Sequence, residues 1–391
     1  MDIFEKIHVH GFRRLHSVDL KLKPLNVLIG ANGCGKTSLL DVFTLLSASA
    51  SASGELKSRI NQYGGVDSNL SSLSAIVNGK ARMIHIELFK PVEETSQLKY
   101  SISLTPSGTS YEISEEALIQ YRDHLKKEPL IYIESNRGDV YYFDPEKKKL
   151  ISPTWAYFPQ QSALSQVPIM FREPQDFRKG LASSTHYHVL DVSSRAPVRL
   201  PQPMREAKLP GKQGEDLVSC LYWMREADPD RFEIIEDTLR VGFPNFERLN
   251  FPPVAAGTLA MTWKETGTTH PFFMHQLSEG TLRFLWLITL LYSPGLTEVT
   301  LLDEPEVSLH PELLSILADC MRDASNRTQL IVATHADRLV RFLKPEEVVT
   351  VDLEEDGTST FTRADDLELD AWLKDYSLDE IWQHGRMGAR P

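Results

Sequence analysis

The chain has 391 residues, 41% of them hydrophobic and 25% charged, with a formal net charge of −12. These proportions describe a soluble globular protein of two or three domains, and the acidic balance excludes one that coats nucleic acid through its overall charge. Cys34, Cys220 and Cys320 are too dispersed for a disulfide framework and form no C-x-x-C pair, which predicts a reducing, cytoplasmic setting. The N-terminus has no signal-peptide core. The longest strongly apolar run, Phe284 to Tyr292, falls far short of the ~18 residues a membrane span needs.

In chain order, Ile7 to Val9 and Val18 to Leu22 alternate like strands, and Leu25 to Ile29 is a continuous apolar run suited to a buried strand. Helical spacing of Leu39, Leu40, Val42, Phe43 and Leu46 predicts a helix over 37–46, ended by a flexible small-residue loop, Ser47 to Ser53. Met83 to Phe89 and Tyr100 to Leu104 read as an antiparallel pair. Eight prolines between Ser152 and Gly211 (Pro153, Pro159, Pro168, Pro174, Pro197, Pro201, Pro203 and Pro210) exclude a long coiled coil from the centre. Helices are predicted over 214–225 and 228–241, the second opened by Asp-Pro as cap and first residue. Strands are predicted near 248–251 and 259–264. From Ser278 the order is helix, strand, helix, strand, helix, strand, with strands at 299–302, 329–333 and 348–353. That alternation implies a largely parallel sheet.

Gly30-Ala31-Asn32-Gly33-Cys34-Gly35-Lys36-Thr37-Ser38 fits G-x-x-x-x-G-K-[ST] between a predicted strand and a predicted helix, the context this phosphate-binding loop requires. Glycines let backbone N–H groups turn toward phosphate oxygens, and the helix N-terminus adds partial positive charge. Lys36 would reach the β- and γ-phosphates of ATP, and Thr37 would hold Mg2+. Val299 to Leu302 followed by Asp303 and Glu304 places two carboxylates at the carboxyl end of a buried strand. Asp303 would assist Mg2+ and Glu304 would polarise the attacking water. Leu277-Ser278-Glu279-Gly280-Thr281 precedes an apolar helix, so Ser278 as N-cap and Gly280 in the first turn would offer a hydroxyl and N–H groups to a phosphate. Ile331 to Thr334 is a further apolar strand, ending in His335.

The order of these elements resembles a RecF/SMC-like ABC ATPase, of the stand-alone AAA-family group related to the head of OLD-family proteins. The resemblance rests on Gly11-Phe12-Arg13-Arg14-Leu15, the Gly30 loop (Walker A), Leu277 to Thr281, Asp303-Glu304-Pro305-Glu306-Val307-Ser308-Leu309-His310-Pro311 and Ala333-Thr334-His335. It extends to the tail, Trp372 to Pro391, and covers roughly residues 1–105 and 245–391. Glu279 and Thr281 depart from the usual L-S-G-G-Q signature. The resemblance implies an α/β P-loop NTPase of ABC-head type, with a mixed or parallel core sheet, an antiparallel N-terminal β subdomain and a central α+β insertion. Its expected divisions are 1–105, 106–245 and 246–391. It implies that His335 contacts the γ-phosphate, that Arg13 contacts the phosphates, and that Ser278 and Gly280 act in trans across a dimer whose seam is crossed by Val307 to His310. A family glutamine links Mg2+ to the second lobe; Gln62 is the candidate, and an exposed loop glutamine is the competing reading.

His186-Tyr187-His188 places two histidines on one strand face without further ligands at zinc spacing, and reads as an ordinary strand. Arg195, Arg199, Arg205, Lys208 and Lys212 form the one stretch suited to nucleic-acid phosphates, with a solvated loop as the alternative. The leading expectation is an ATP-hydrolysing homodimer, or a higher multiple of dimers, that acts as a gated switch for a protein effector. DNA repair and antiphage defence are the settings the resemblance implies. The alternatives are an OLD-like component whose nuclease is a separate subunit, and a module that binds ATP without hydrolysing it. The acids between Asp352 and Asp370 are too crowded for a Toprim nuclease site, so no intrinsic nuclease activity is expected.

Overall fold

Alternation of buried and open side chains shapes the first sheet: β1 (Lys6–Phe12) and β2 (Leu15–Lys21) pair antiparallel, with Ile7, Val9, Val18 and Leu20 turned inward. The computed structural model describes residues 4–51, 54–71, 82–93, 96–108, 110–122, 128–154, 158, 161–369 and 371–388. β3 (Leu25–Ile29) is buried on both faces and leads into α1 (Lys36–Ala50) and α2 (Glu55–Gln62). Six antiparallel strands follow: β4 (Ile84–Glu93), β5 (Ser96–Ser107), β6 (Ser110–Arg122), β7 (Leu130–Asn136), β8 (Asp139–Asp144) and β9 (Lys149–Ile151). They extend β1 and β2 into an eight-stranded sheet in the order β2-β1-β4-β5-β6-β7-β8-β9. Ile84 pairs with Leu104, the antiparallel partnership the sequence predicts.

Next come α3 (Arg172–Ala182), β10 (Thr185–Tyr187), β11 (Gln202–Pro203), α4 (Leu217–Ala227) and α5 (Pro229–Gly242). The Asp228 side chain caps α5 by accepting from the Arg231 N–H. Short antiparallel strands β12 (Phe246–Asn250), β13 (Pro253–Ala255), β14 (Thr258–Leu259), β15 (Thr262–Glu265) and β16 (Phe272–Phe273) lead to α6 (Glu279–Tyr292). The chain ends in β17 (Val299–Asp303), α7 (Pro311–Ala324), β18 (Gln329–Thr334), α8 (Asp337–Val340), β19 (Val348–Leu353), β20 (Ser359–Arg363) and α9 (Leu378–Gln383). Residues 389–391 of the tail lie outside the described residues.

The second large sheet runs β10-β17-β18-β3-β19-β20, parallel except for β20. Its strands feed two cores by alternation. Val27, Ile29, Leu302, Leu330 and Val332 face the helices α4 to α7, whereas Leu28, Leu301, Ile331, Val349 and Val351 face α1 and the eight-stranded sheet. Gln329 ties the layers at one edge: its Oε1 accepts from the Phe4 N–H at 3.1 Å and its Nε2 donates to Phe4 O at 2.7 Å.

The predicted end of the first helix is corrected. α1 continues through Ser47 to Ala50 because the Ser47 hydroxyl donates to the carbonyls of Ala182 and Ser184, while Ala48, Ser49 and Ala50 are buried. Small residues that read as a loop are the face on which α3 packs; residues 52–53 lie outside the described residues.

One buried carboxylate holds the central segment to the antiparallel sheet. Glu116, on β6, accepts from the hydroxyls of Tyr100 (3.0 Å) and Ser162 (2.6 Å) and from the N–H groups of Ala163 (2.7 Å) and Leu164 (2.9 Å). Burial raises its pKa, and these donors oppose the rise. Glu116→Ala removes the acceptor shared by four buried donors and should destabilise the fold by about 3–5 kcal/mol in urea unfolding. Glu116→Gln should also destabilise it, because the amide would set an N–H against one of the two backbone N–H groups. A loss under about 1 kcal/mol in both variants would remove Glu116 as the anchor.

Candidate nucleotide-binding site

The site begins where β3 ends. Gly30, Gly33 and Gly35 have φ of 151°, 78° and 111°, in the region that side chains rarely adopt. A Cβ on Gly30 would lie 2.3 Å from Val351 O, and one on Gly35 would lie 2.6 Å from Ser359 Oγ. Two of the loop's glycines are therefore required by close approach of the chain as well as by φ. Cys34 is buried behind the loop, and its carbonyl accepts from the Ser359 hydroxyl at 2.5 Å. The Lys36 ammonium folds back over the loop, donating to Gly30 O at 2.5 Å and Ala31 O at 2.9 Å.

Parallel pairing brings the other groups alongside. Thr334 pairs with Ile29, and Asp303 pairs with Ala333, so the carboxyl ends of β3, β18 and β17 finish together. A cavity of about 290 Å³ lies there, lined by Arg13, Arg14, Asn32, Gly33, Gly35, Lys36, Thr37, Ser38, Asp303 and Glu304. Glu304 has a left-handed backbone, φ 50°, held by its N–H donating to Ala333 O at 2.8 Å. Its Oε1 lies 3.1 Å from His335 Nδ1. A base on the cavity wall, beside a histidine that can orient it, is an arrangement suited to activating water.

Arg13 reaches the cavity but is held by the chain itself. Its Nη1 donates to Asp41 Oδ2 at 2.6 Å and its Nε to Asn69 Oδ1 at 2.8 Å, with the guanidinium 5.2 Å from the Tyr63 ring centre. Tyr63 donates to the other Asp41 oxygen at 2.8 Å. Sequence reasoning missed this support, and also missed Arg14 as a lining residue; only the adjacency of the two arginines pointed to either.

Ser278 caps α6, accepting from the Thr281 N–H at 3.1 Å. A Cβ on Gly280 would sit 2.5 Å from Ser308 O, so the signature loop packs directly on the segment after Glu304. Neither Ser278 nor Gly280 lines the cavity of its own chain. Gln62 does not line it either. It stands at the end of α2, accepts from Arg59 Nη1 at 2.8 Å, and borders a separate polar cavity.

Much of the basic stretch is engaged within the chain. Arg199 donates to the carbonyls of Val192, Met274, His275 and Leu277, and Arg205 pairs with Asp216 at 2.6 Å. Lys208 lies 3.5 Å from Glu206, and Lys212 is half-buried. The strand expected around His186 is β10, and its parallel pairing with β17 draws the rings of His186 and His188 toward Asp303. Burial and the neighbouring His188 hold the His186 pKa down to about 3.

Glu306 acts behind the site. Its Oε1 accepts from the Thr334 hydroxyl at 2.6 Å, and the Thr334 oxygen accepts from the Ala336 N–H at 3.0 Å, which fixes the turn that carries His335. Burial raises the Glu306 pKa, with the Thr334 hydroxyl opposing. The folded chain therefore keeps this proton to higher pH than the unfolded chain does. The stability it contributes is complete below the ordinary carboxylate pKa and is lost as pH rises through the folded value. Glu306→Gln cannot titrate, so its melting temperature relative to the unsubstituted chain should rise between about pH 4 and pH 8. A difference that stays flat over that range would show that Glu306 does not titrate in this window.

A stretch of 44 residues is 50% identical to the uncharacterized protein YbjD of Escherichia coli K12, covering 11% of this chain and 8% of that protein. Another, of 59 residues, is 39% identical to the DNA replication and repair protein RecF of Actinobacillus pleuropneumoniae serotype 5b, covering 15% of this chain and 16% of that one. The matches thus span a small part of either relative's length. In fold, the chain is similar to an Smc head bound to the C-terminal winged-helix domain of ScpA, with TM-score 0.54 and 14% identity over 92% of this chain and 97% of that one. It is also similar to the Smc head with an extended coiled coil bound to the C-terminal domain of ScpA, derived from Pyrococcus furiosus, with TM-score 0.51 and 12% identity over 96% and 98%. The family described as "AAA domain, putative AbiEii toxin, Type IV TA system" matches residues 25–341. The chain belongs to that AAA-domain family, and its fold is that of the Smc heads.

Proposed function

We propose that the chain binds and hydrolyses ATP in the cytoplasm, and that it works as a switch in which ATP closes two copies head to head and hydrolysis releases them. The observation that carries this reading is the 3.1 Å contact between Glu304 and His335 at the rim of the cavity that Lys36, Thr37 and Asp303 line. Thr37 and Asp303 present oxygen ligands to one space, the donor type a hard cation takes, so both would hold Mg2+. Mg2+ when bound neutralises charge on the phosphate oxygens. Lys36 exchanges the carbonyls of Gly30 and Ala31 for phosphate oxygens, and the loop's N–H groups and the α1 N-terminus complete the cradle. Glu304 takes the proton of the attacking water while His335 holds its carboxylate and faces the γ-phosphate.

Closure is supported by what the single chain's cavity lacks. Ser278 and Gly280 offer a hydroxyl and N–H groups away from their own chain's cavity, so a second copy would supply them. The Smc heads of similar fold are bound to ScpA in their solved structures, which favours a protein effector here. We take residues 1–105 and 246–391 as the main parts of the head, with β6 to β10 completing its two sheets, and assign the coupling to that effector to the rest of residues 106–245. Repair and antiphage defence are the two settings in which we place the switch.

Glu304→Gln should lower steady-state ATP turnover by roughly 100-fold or more while leaving ATP binding intact; turnover at the unsubstituted rate would sink the assignment. The shared site has its own test. Lys36→Ala and Ser278→Arg chains should each be inactive, and mixing them should restore part of the turnover, because one intact site forms in the mixed dimer. If the mixture stays inactive although mixed dimers form, the signature does not act in trans.

A further inference from the structure

We infer that His186, His188 and Asp303 form a binding site for a divalent transition metal of the zinc or cobalt class. Parallel pairing creates the cluster: His186 is opposite Leu301 and Tyr187 opposite Leu302, so His188 comes level with Asp303. One nitrogen from each ring and one Asp303 oxygen lie within 4.8 Å of one another, and His188 Nδ1 is 3.9 Å from Asp303 Oδ2. The two rings are 4.0 Å apart between centres. A tetrahedral ion with bonds of about 2.0–2.1 Å spaces its ligand atoms by about 3.3 Å. His188, with 68% of its side chain exposed, is free to close the remaining distance.

The buried histidine points independently to a ligand. His186 is 7% exposed, and its Nε2 has no hydrogen-bond partner among the described residues. Its Nδ1 lies 3.5 Å from Thr44 Oγ1, and that hydroxyl gives its own proton to Leu40 O at 3.1 Å. The Thr44 oxygen is thus an acceptor toward His186. A proton on Nδ1 leaves Nε2 with a bare lone pair, in the pattern by which an outer partner orients a metal-binding imidazole. Two imidazoles with one carboxylate select a transition metal over Mg2+, which prefers oxygen ligands alone. Three protein ligands leave coordination positions open.

The site borrows Asp303 from the nucleotide cavity but needs neither ATP nor hydrolysis, so it stands or falls separately from the proposed function. The test is titration of the full chain, free of nucleotide, with cobalt chloride, followed by visible d–d absorption and by equilibrium dialysis. The unsubstituted chain should bind a single Co2+ with a visible spectrum. His188→Gln, at an exposed position where folding is unaffected, should weaken binding roughly tenfold or more, as should His186→Asn where circular dichroism shows it folded. Asp303 is left unchanged throughout. Absence of binding by the unsubstituted chain overturns the proposal, and so does binding that His188→Gln leaves unaltered.

Discussion

Three parallel strands that finish side by side set the terms for the rest of the molecule. β3 delivers the Gly30 loop, β17 delivers Asp303 and Glu304, and β18 delivers Thr334 and His335, all to one edge. Backbone pairing alone would not hold that register. Alternation into two separate cores does, because Leu28, Leu301 and Ile331 face one core while Val27, Leu302 and Val332 face the other. A slip by one residue would exchange these sets between a core shaped by helices and one shaped by a sheet. Buried on both faces, the strands have no polar side to absorb the error, so geometry at the cavity is inherited from packing well below it.

The cavity also concentrates backbone strain. The non-glycine residues with positive φ among those described are Arg13, Arg137, Lys148, Glu304 and Ser308. Arg137 and Lys148 sit in the turns after β7 and β8, where such a conformation is ordinary. The other three belong to the nucleotide site or to the loop behind the signature, at about 1–3 kcal/mol each. Local bonds offset that cost: the Arg13 N–H donates to Asn69 O at 2.7 Å, and the Glu304 N–H to Ala333 O at 2.8 Å. A left-handed Glu304 turns its carboxylate out of the strand's alternation and toward His335, a direction that continued β-structure would not give.

Contiguous chemistry was legible in the sequence, and chemistry assembled across the fold was not. The Gly30 loop, the Asp303–Glu304 pair and His335 each end an apolar run, so local pattern sufficed to find them and the alternation of strands and helices placed them on one sheet edge. His188 could not be joined to Asp303 in the same way. Their proximity depends on β10 inserting beside β17, and three residues of strand within a proline-rich stretch carry no signal of that partner. The support of Arg13 by Asp41, Asn69 and Tyr63 was hidden for a similar reason, since those residues come from α1 and from loops near α2. Ser47 to Ala50 misled because small polar residues serve equally as loop and as the close face of a packed helix. The partners of Arg199 were hidden because they are backbone carbonyls, which composition does not reveal.

The contact of Gly280 with Ser308 bears on how two sites in a dimer would communicate. Ser308 follows Glu304 by one turn of chain, and its carbonyl occupies the space a Cβ on Gly280 would need. Arg283, one turn along α6, donates to the Ser308 hydroxyl and, at 3.2 Å, to Leu190 O, just beyond His188. The signature helix is therefore fastened to the loops that follow both β17 and β10. With the signature serving a second copy's nucleotide, as proposed, a phosphate drawn onto Ser278 pulls on the same segment that orients Glu304 in its own chain. Coupling of this kind needs no long path and no flexible element. It needs only that the two loops be closely packed, and a glycine with no room for a methyl group shows that they are.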